Sequence, residues 1–490
     1  LLDEVIPHLR MAENQIKLKL LNSGLVPDGM EVPLQVIRAD AELFREANLP
    51  LFSEEQKLGM EYARITGAQT VEIDGEEKTL IQLAPYYLEQ DRDLRERVWR
   101  LQMERWLQDR EAINELWGKL LDVRQQMATN AGFDDYRAYR WRDMKRFDYT
   151  PEDCDTFHRA IEEVVVPAAE RIYAKRREQL GVETLRPWDL NVDPLGRDPL
   201  KPFEDIEEFI EKTRLVFQHV DPKAERYFSI MADEGLLDLG NRKGKGPGGY
   251  CTSFPHSKRP FIFMNAVGVA GDVRTLLHEA GHAFHQFEVQ NLPYIFQRGY
   301  PIEFAEVASM AMELLASPYL SSGNGEAFFS DDDARRWRIE HLEKIILFWP
   351  YMAVVDAFQH WVYTHVDEAK DPANCDAKWA ELWGRFMKGV DWSGFEDVVM
   401  TGWHRKQHIY RYPFYYVEYG LAQLGAVQVW GNALKDQSAA VADYFRALAL
   451  GRTASLPELY ATAGAKFAFD ADTMGTAIEL IETTLAELEG

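Results

Sequence analysis

Two histidines four residues apart with a glutamate between them, His278-Glu279-Ala280-Gly281-His282, constrain this chain more than any other stretch of it. On an α-helix, positions i and i+4 lie one above the other, so both imidazoles can reach one metal ion. The glutamate points to the side, where it can take a proton from a reacting water. At about 100° per residue, Leu276, Leu277, Ala280, Ala283, Phe284 and Phe287 form one apolar stripe. His278, His282 and His285 fall on the opposite side, so none of the three is expected in the packed face of this helix. The pattern predicts a helix over residues 272–289.

A catalytic zinc site has three protein ligands and keeps one position open. The metzincin extension does not supply the third ligand here, because His285 stands three past His282 and Glu288 occupies the place of the last histidine. Pro301 reads as a helix start, and Glu303, Glu306, Met310 and Glu313 then share one face. A row of carboxylates is ordinarily a solvated surface, but beside a His-Glu-x-x-His helix Glu306 becomes the expected third ligand. Glu303 and Glu313 are placed to fix a ligand histidine in one tautomer. His285 is a further neighbour of the ligands, with a spacing that does not suit a fourth.

The run from Trp403 to Tyr419 is dense in aromatic side chains and carries His404 and His408. If Pro413 opens a helix, Tyr416, Tyr419 and Gln423 share a face, with Tyr412 just ahead of them. An imidazole and tyrosine hydroxyls of this kind can donate to a developing oxyanion. His404 and His408 repeat the spacing of four but lack a glutamate between them, which argues against a second metal pair. Upstream, Tyr250–Phe254 and Phe261–Asn265 read as two strands joined by Pro255–Pro260. An exposed edge there, carrying Tyr250, could take an extended peptide through main-chain hydrogen bonds.

Elsewhere the periodicity is helical. A hairpin is expected at Asp74-Gly75 within Thr70–Leu83, long helices over Tyr86–Asn130, Pro151–Leu180 and Ile206–Leu237, and a loop over 184–205. Gly240–Gly249 is glycine-rich, expected mobile, and lacks a nucleotide-loop pattern. The fold class is therefore mainly α, with a small antiparallel sheet just before the metal helix. The 490 residues carry 55 Lys+Arg against 80 Asp+Glu, a net charge of −25, which argues against nucleic acid as the main partner. No window of about 18 uninterrupted apolar residues exists. The best candidate, Ile345–Val355, is short and contains Pro350, so no membrane span is expected. Three scattered cysteines fit a reducing, cytoplasmic setting. The opening Leu1-Leu2-Asp3-Glu4 has no initiator Met, basic flank or signal-peptide core, and reads as a trimmed chain without a leader.

His278 through His285 resembles the His-Glu-x-Gly-His-x-x-His signature of the M3 metallopeptidases. Ala305–Ser309 and His408 through Tyr419 look like the oligoendopeptidase F group of that family, as do Phe261–Asn265 and Asn130–Tyr136. The resemblance covers about residue 90 to the C-terminus. It implies a large two-lobed helical enzyme with a deep central channel. Residues 1–90 would form a helical N-terminal region in the channel wall, and 91–490 the catalytic region. It implies one zinc ion per chain on His278, His282 and Glu306, with Glu279 as general base. His408, Tyr416 and Tyr419 would assist at the oxyanion, and Tyr412, Tyr415, Tyr250 and His404 would meet the substrate. The implied activity is internal cleavage of short unfolded peptides, size being selected by the channel. Two other readings stay open. A metallocarboxypeptidase could use Arg405, Lys406 or Arg411 for the terminal carboxylate. A non-catalytic peptide binder could carry a structural zinc.

Overall fold

The computed structural model describes Leu1–Gly490 except residues 243, 244, 246, 247 and 322–326. Part of the glycine-rich Gly240–Gly249 segment, expected mobile, thus lies outside the described residues. The chain divides into two compact units. The first comprises Leu1–Leu25, Leu34–Asp198 and Leu347–Val417, and the second Val26–Pro33, Pro199–Ile346 and Glu418–Gly490. Residue 90 lies inside the first unit. The architecture is mainly α-helical with small sheets, as expected.

In the first unit, Thr70–Ile73 and Glu76–Thr79 pair antiparallel across Asp74 and Gly75, whose φ values of 54° and 83° are those of a tight hairpin turn. The second strand ends at Thr79, short of the expected Leu83. Thr79 and Gln82 form a reciprocal cap that starts a 3-10 turn over Leu80–Leu88, and Leu83 packs with Val71, Ile73 and Val98. The expected helix over Tyr86–Asn130 is two helices, Arg92–Gln108 and Arg110–Ala131. Asp91 caps the first through the N–H groups of Asp93 and Leu94, and Gly132 at φ 88° closes the second. Pro151–Leu180 is helical throughout, with a π turn at Ile161–Val165. Pro167 follows that turn; it has no N–H to donate and its ring crowds the preceding turn, which accounts for the wider winding there.

The loop of residues 184–205 is fastened at a short 3-10 turn, Pro187–Asp189. Asp189 is fully buried and takes hydrogen bonds from Arg92 (3.0 and 2.8 Å), Arg95 (3.1 Å) and the N–H of Arg186 (3.0 Å). Burial by itself would raise its carboxyl, but Arg92, the Arg186 N–H and Arg95 more than offset this and hold it below the usual range.

In the second unit, Arg259–Ala266 is the centre of a three-stranded sheet. Tyr250–Phe254 pairs with it antiparallel, Cys251 facing Ile262, which is the expected pair. A third strand, Leu237–Gly240, joins the other edge in parallel, because the helix expected to reach Leu237 stops at Asp233 and the chain reverses at Gly235, φ 68°. Pro260, Ile262, Met264 and Ala266 point into the core while their neighbours are half-buried, the period-two alternation of a strand. Asp272 then gathers the N–H groups of Val267, Gly268 and Val269 at 2.8, 2.9 and 3.0 Å and turns the chain into the helix Ala270–Val289.

The helix Asp331–Thr364 is long and apolar enough to cross a membrane by composition, but 72% of its most apolar window is buried inside the protein, so it is a core helix. It also carries the buried polar residues Asp356, Gln359 and His360.

Asp189→Asn is expected to cost about 3 kcal/mol by leaving buried arginine charge uncompensated. A carboxyl held low in the folded state contributes stability above its unfolded pKa and loses it as pH falls through the folded value. Denaturant titrations of the variant should therefore show a flatter acid limb below about pH 4 than wild type.

Candidate metal centre

The ligand set is assembled by two helices of the second unit that approach unusually closely, Ala270–Val289 and Ile302–Ala316. A Cβ at Gly281 would sit 2.5 Å from the Ala308 carbonyl oxygen and 2.6 Å from Ser309 Cα, so only glycine permits this spacing. Pro301 precedes the second helix as expected. That helix is buried on nearly every side, including Glu303, Glu306 and Glu313, so its carboxylate row is an interior feature.

One ligand atom each from His278, His282 and Glu306 lies within 4.8 Å of the others. The Nε2 atoms of His278 and His282 stand 3.4 and 3.7 Å from Glu306 Oε2. Two imidazole nitrogens and a carboxylate oxygen converging in this way suit a borderline divalent cation such as zinc. The imidazoles are 22% and 20% exposed, so the face of the set stays reachable, as a catalytic centre needs and a closed structural one does not.

Each ligand is held from behind. Glu313 accepts from His278 Nδ1 at 2.6 Å, which turns Nε2 toward Glu306. The other oxygen of Glu313 lies 2.9 Å from Nε2 of His341. Burial would raise the Glu313 carboxyl, and the two imidazoles instead hold it well below the usual range. Burial disfavours charge on His278 too, but Glu306 and Glu313 prevail and raise it. On His282 burial prevails and pulls the imidazole down to about 4, the neutral form that ligates metal. Ser309 donates to the Glu306 carbonyl at 2.9 Å and approaches its Oε2 at 3.3 Å. His341 and Ser309 are contributors that sequence reasoning missed. His341 has no motif of its own, and Ser309 stood unassigned within the Ala305–Ser309 segment.

Glu279 is buried beside the ligands. Burial pushes it up to about 7; His278 and a backbone hydrogen bond from Cys251 pull the other way, and Glu306 adds to the rise. Glu303 is buried with its charge felt at Tyr460. His285 corrects the helix-face expectation. It is fully buried, stacked at 3.6 Å on Tyr300, with neither ring nitrogen hydrogen-bonded among the described residues. The apolar stripe is wider than its six residues, because the 302–316 side also packs against this helix.

The first unit gathers a second group from the aromatic run. The His408 ring lies 5.0 Å from Tyr416, 5.9 Å from Tyr415 and 6.1 Å from Tyr412. Lys406 donates to the Tyr416 hydroxyl at 2.7 Å, and burial pulls this lysine down to about 8. Arg124, fully buried, bonds Glu55, the Tyr363 hydroxyl and the carbonyls of Ile409 and Tyr410, and so fixes the turn that carries His408. The helix expected from Pro413 starts at Tyr416 instead. Phe414, at φ 64°, breaks the chain there and is held by Gln359 and Arg146. Tyr412 is exposed. His404, expected to meet substrate, is buried and bonded to Asn114 at 2.9 Å. In the second unit Tyr419 is half-buried, and Tyr250 is exposed on the free-edge strand, stacked on Phe263.

A mainly helical fold thus brings a His-Glu-x-x-His helix and a glutamate-bearing helix together. The chain belongs to peptidase family M3, whose model matches residues 86–476. It is 25% identical over 334 residues to oligopeptidase PepF of Bacillus subtilis (strain 168), a match covering 66% of this chain and 47% of the relative. It is 24% identical over 339 residues to an oligoendopeptidase F homolog of Lactococcus lactis subsp. lactis, covering 66% and 52%. The chain spans about half the length of these curated relatives. A solved structure of Pz peptidase A with an inhibitor superposes with a TM-score of 0.90 at 29% identity, over 99% of this chain and 86% of that one.

Two substitutions test how the centre is built. Gly281→Ala should destabilise the protein by about 1–3 kcal/mol through overpacking and weaken zinc binding, because Glu306 is pushed away. His341→Ala should lower zinc affinity about 10- to 100-fold with a smaller stability loss. Competition titrations against a chromogenic chelator measure both affinities.

Proposed function

We propose that this chain is a zinc-dependent endopeptidase that cuts internal bonds of short, unfolded peptides. The observation that carries this reading is the convergence of His278, His282 and Glu306 beside a buried glutamate. Zinc held by those three would supply Lewis-acid polarisation of the scissile carbonyl and of the attacking water. The chain's own chemistry centres on Glu279. With its carboxyl raised to about 7, it can take the proton of the attacking water and return it to the leaving amine near neutral pH. Glu313 keeps His278 in one tautomer through this cycle, and Ser309 holds Glu306 in place. The Tyr250–Phe254 edge offers main-chain groups to an extended peptide, which favours many side chains over one.

The family resemblance supports His408, Tyr416 and Tyr419 at the oxyanion and Tyr412 and Tyr415 at the substrate, and the exposed strand edge supports Tyr250 there. The names of the relatives, oligopeptidase and oligoendopeptidase, support the peptide-size reading. The three cysteines are free thiols, which accords with a reducing, cytoplasmic setting.

Product mapping by mass spectrometry on a mixture of short peptides, with and without a chelator, tests the proposal. Internal cuts that vanish with the chelator are expected. Stepwise C-terminal trimming would replace the reading with a carboxypeptidase, and no cleavage by zinc-loaded protein would replace it with a binding role. Glu279→Gln should retain zinc and fold while kcat falls about 10²- to 10⁴-fold. Near wild-type turnover in that variant would remove Glu279 from the mechanism.

A further inference from the structure

A second convergence of ligating side chains lies entirely within the first unit. It is built from two helices, each contributing residues at i and i+4. Pro151–Ala160 presents Cys154 and His158, and Asp331–Thr364 presents Asp356 and His360. One donor atom each from Cys154, Asp356 and His360 lies within 4.8 Å of the others. His158 Nε2 is 2.9 Å from Asp356 Oδ2, and His360 Nε2 is 3.3 Å from the same oxygen. All four residues are buried, at 0, 3, 0 and 6% exposure in chain order.

The polar accounting of this cluster does not close by hydrogen bonds alone. Asp356 Oδ1 and His360 Nδ1 are buried with no hydrogen-bond partner among the described residues. Buried polar atoms are rarely left so. The surroundings are apolar and aromatic, with the Trp141 and Phe414 rings 5.6 and 5.3 Å from His360. His158 and His360 both address Asp356 Oδ2, which leaves the buried Oδ1 open to a further positive partner. The Cys154 thiol is fully buried in the same cluster. The Arg146 guanidinium is engaged elsewhere, with the Phe414 carbonyl and stacked at 4.4 Å on Trp141.

We propose that Cys154, Asp356 and His360, with His158 holding the carboxylate, form a second metal site, suited by its sulfur, nitrogen and oxygen donors to zinc. Thiolate, carboxylate and neutral imidazole around a divalent cation make a formally neutral set, which is the form a dry interior accepts. Binding displaces the Cys154 thiol proton to solvent, and any proton on His360 with it. The site would tie the Pro151–Ala160 helix to the Asp331–Thr364 helix and act in stability rather than in turnover. It raises the expected metal content from one ion per chain to two.

The thiol separates this site from the His278, His282 and Glu306 set, which has no sulfur. Full-length protein made in cobalt-supplemented minimal medium should hold two metal equivalents and show thiolate-to-cobalt charge transfer in the near ultraviolet. H282Q/E306Q should retain one equivalent and the same band, and X-ray absorption on its zinc form should show a sulfur neighbour at about 2.3 Å. C154S should remove the band and H360N should reduce the content to one equivalent, with peptide cleavage per active-site zinc unchanged. A single equivalent in wild type with no sulfur signature would overturn the proposal. So would a sulfur signature that survives in C154S. The wild-type and H282Q/E306Q measurements decide the matter even if the cluster variants do not fold.

Discussion

The closeness of two helix backbones at Gly281 is the constraint on which the metal centre rests. Ala308 and Ser309 occupy the space a side chain would need, and Glu306 sits less than a turn away. A glutamate side chain is short compared with the diameter of a helix, so its reach to two imidazoles on another helix depends on how near the axes run. The rest of the packing supports that approach. The Tyr444 hydroxyl satisfies the Ala308 carbonyl at 2.8 Å, and Ser309 turns back onto Glu306. The 302–316 helix, buried almost all round, cannot drift outward to relieve the contact.

A second regularity runs through both units. Buried charge is shared among several partners instead of being matched one to one. Glu313 serves His278 and His341, Asp189 serves Arg92 and Arg95, and Asp356 serves His158 and His360. Arg124 meets one carboxylate, one hydroxyl and two carbonyls. The desolvation cost of an isolated buried ion is several kcal/mol, and only multiple short contacts offset it. Such networks also fix orientation, which is what a ligand histidine or a turn bearing His408 requires.

Much of this was legible in the residues. The His-Glu-x-x-His helix, the pairing of His278 with His282, the Pro301 start and Glu306 as a candidate third ligand follow from period and spacing, because helical geometry is local. The Asp74-Gly75 hairpin and the antiparallel strand pair follow for the same reason. The misreadings share a cause. His285 looks polar on a helical wheel but is enclosed by Tyr300, a residue distant in sequence terms from the helix pattern. His404 reads as exposed in an aromatic run, yet it is buried with Asn114 on its ring. Phe414 delays the helix expected from Pro413, through contacts with Gln359 and Arg146.

The sequence by itself determined where most helices and strands form and which residues are candidates for metal and proton chemistry, since capping, periodicity and ligand spacing act over a few residues. Tertiary structure decided which side chains support that chemistry and which are enclosed. Asn114 on His404, Arg124 on the carbonyls of Ile409 and Tyr410, and the Cys154 and His360 convergence all join segments far apart in the chain. No local pattern encodes such meetings, because they depend on how close two separately formed helices come once their apolar faces are buried.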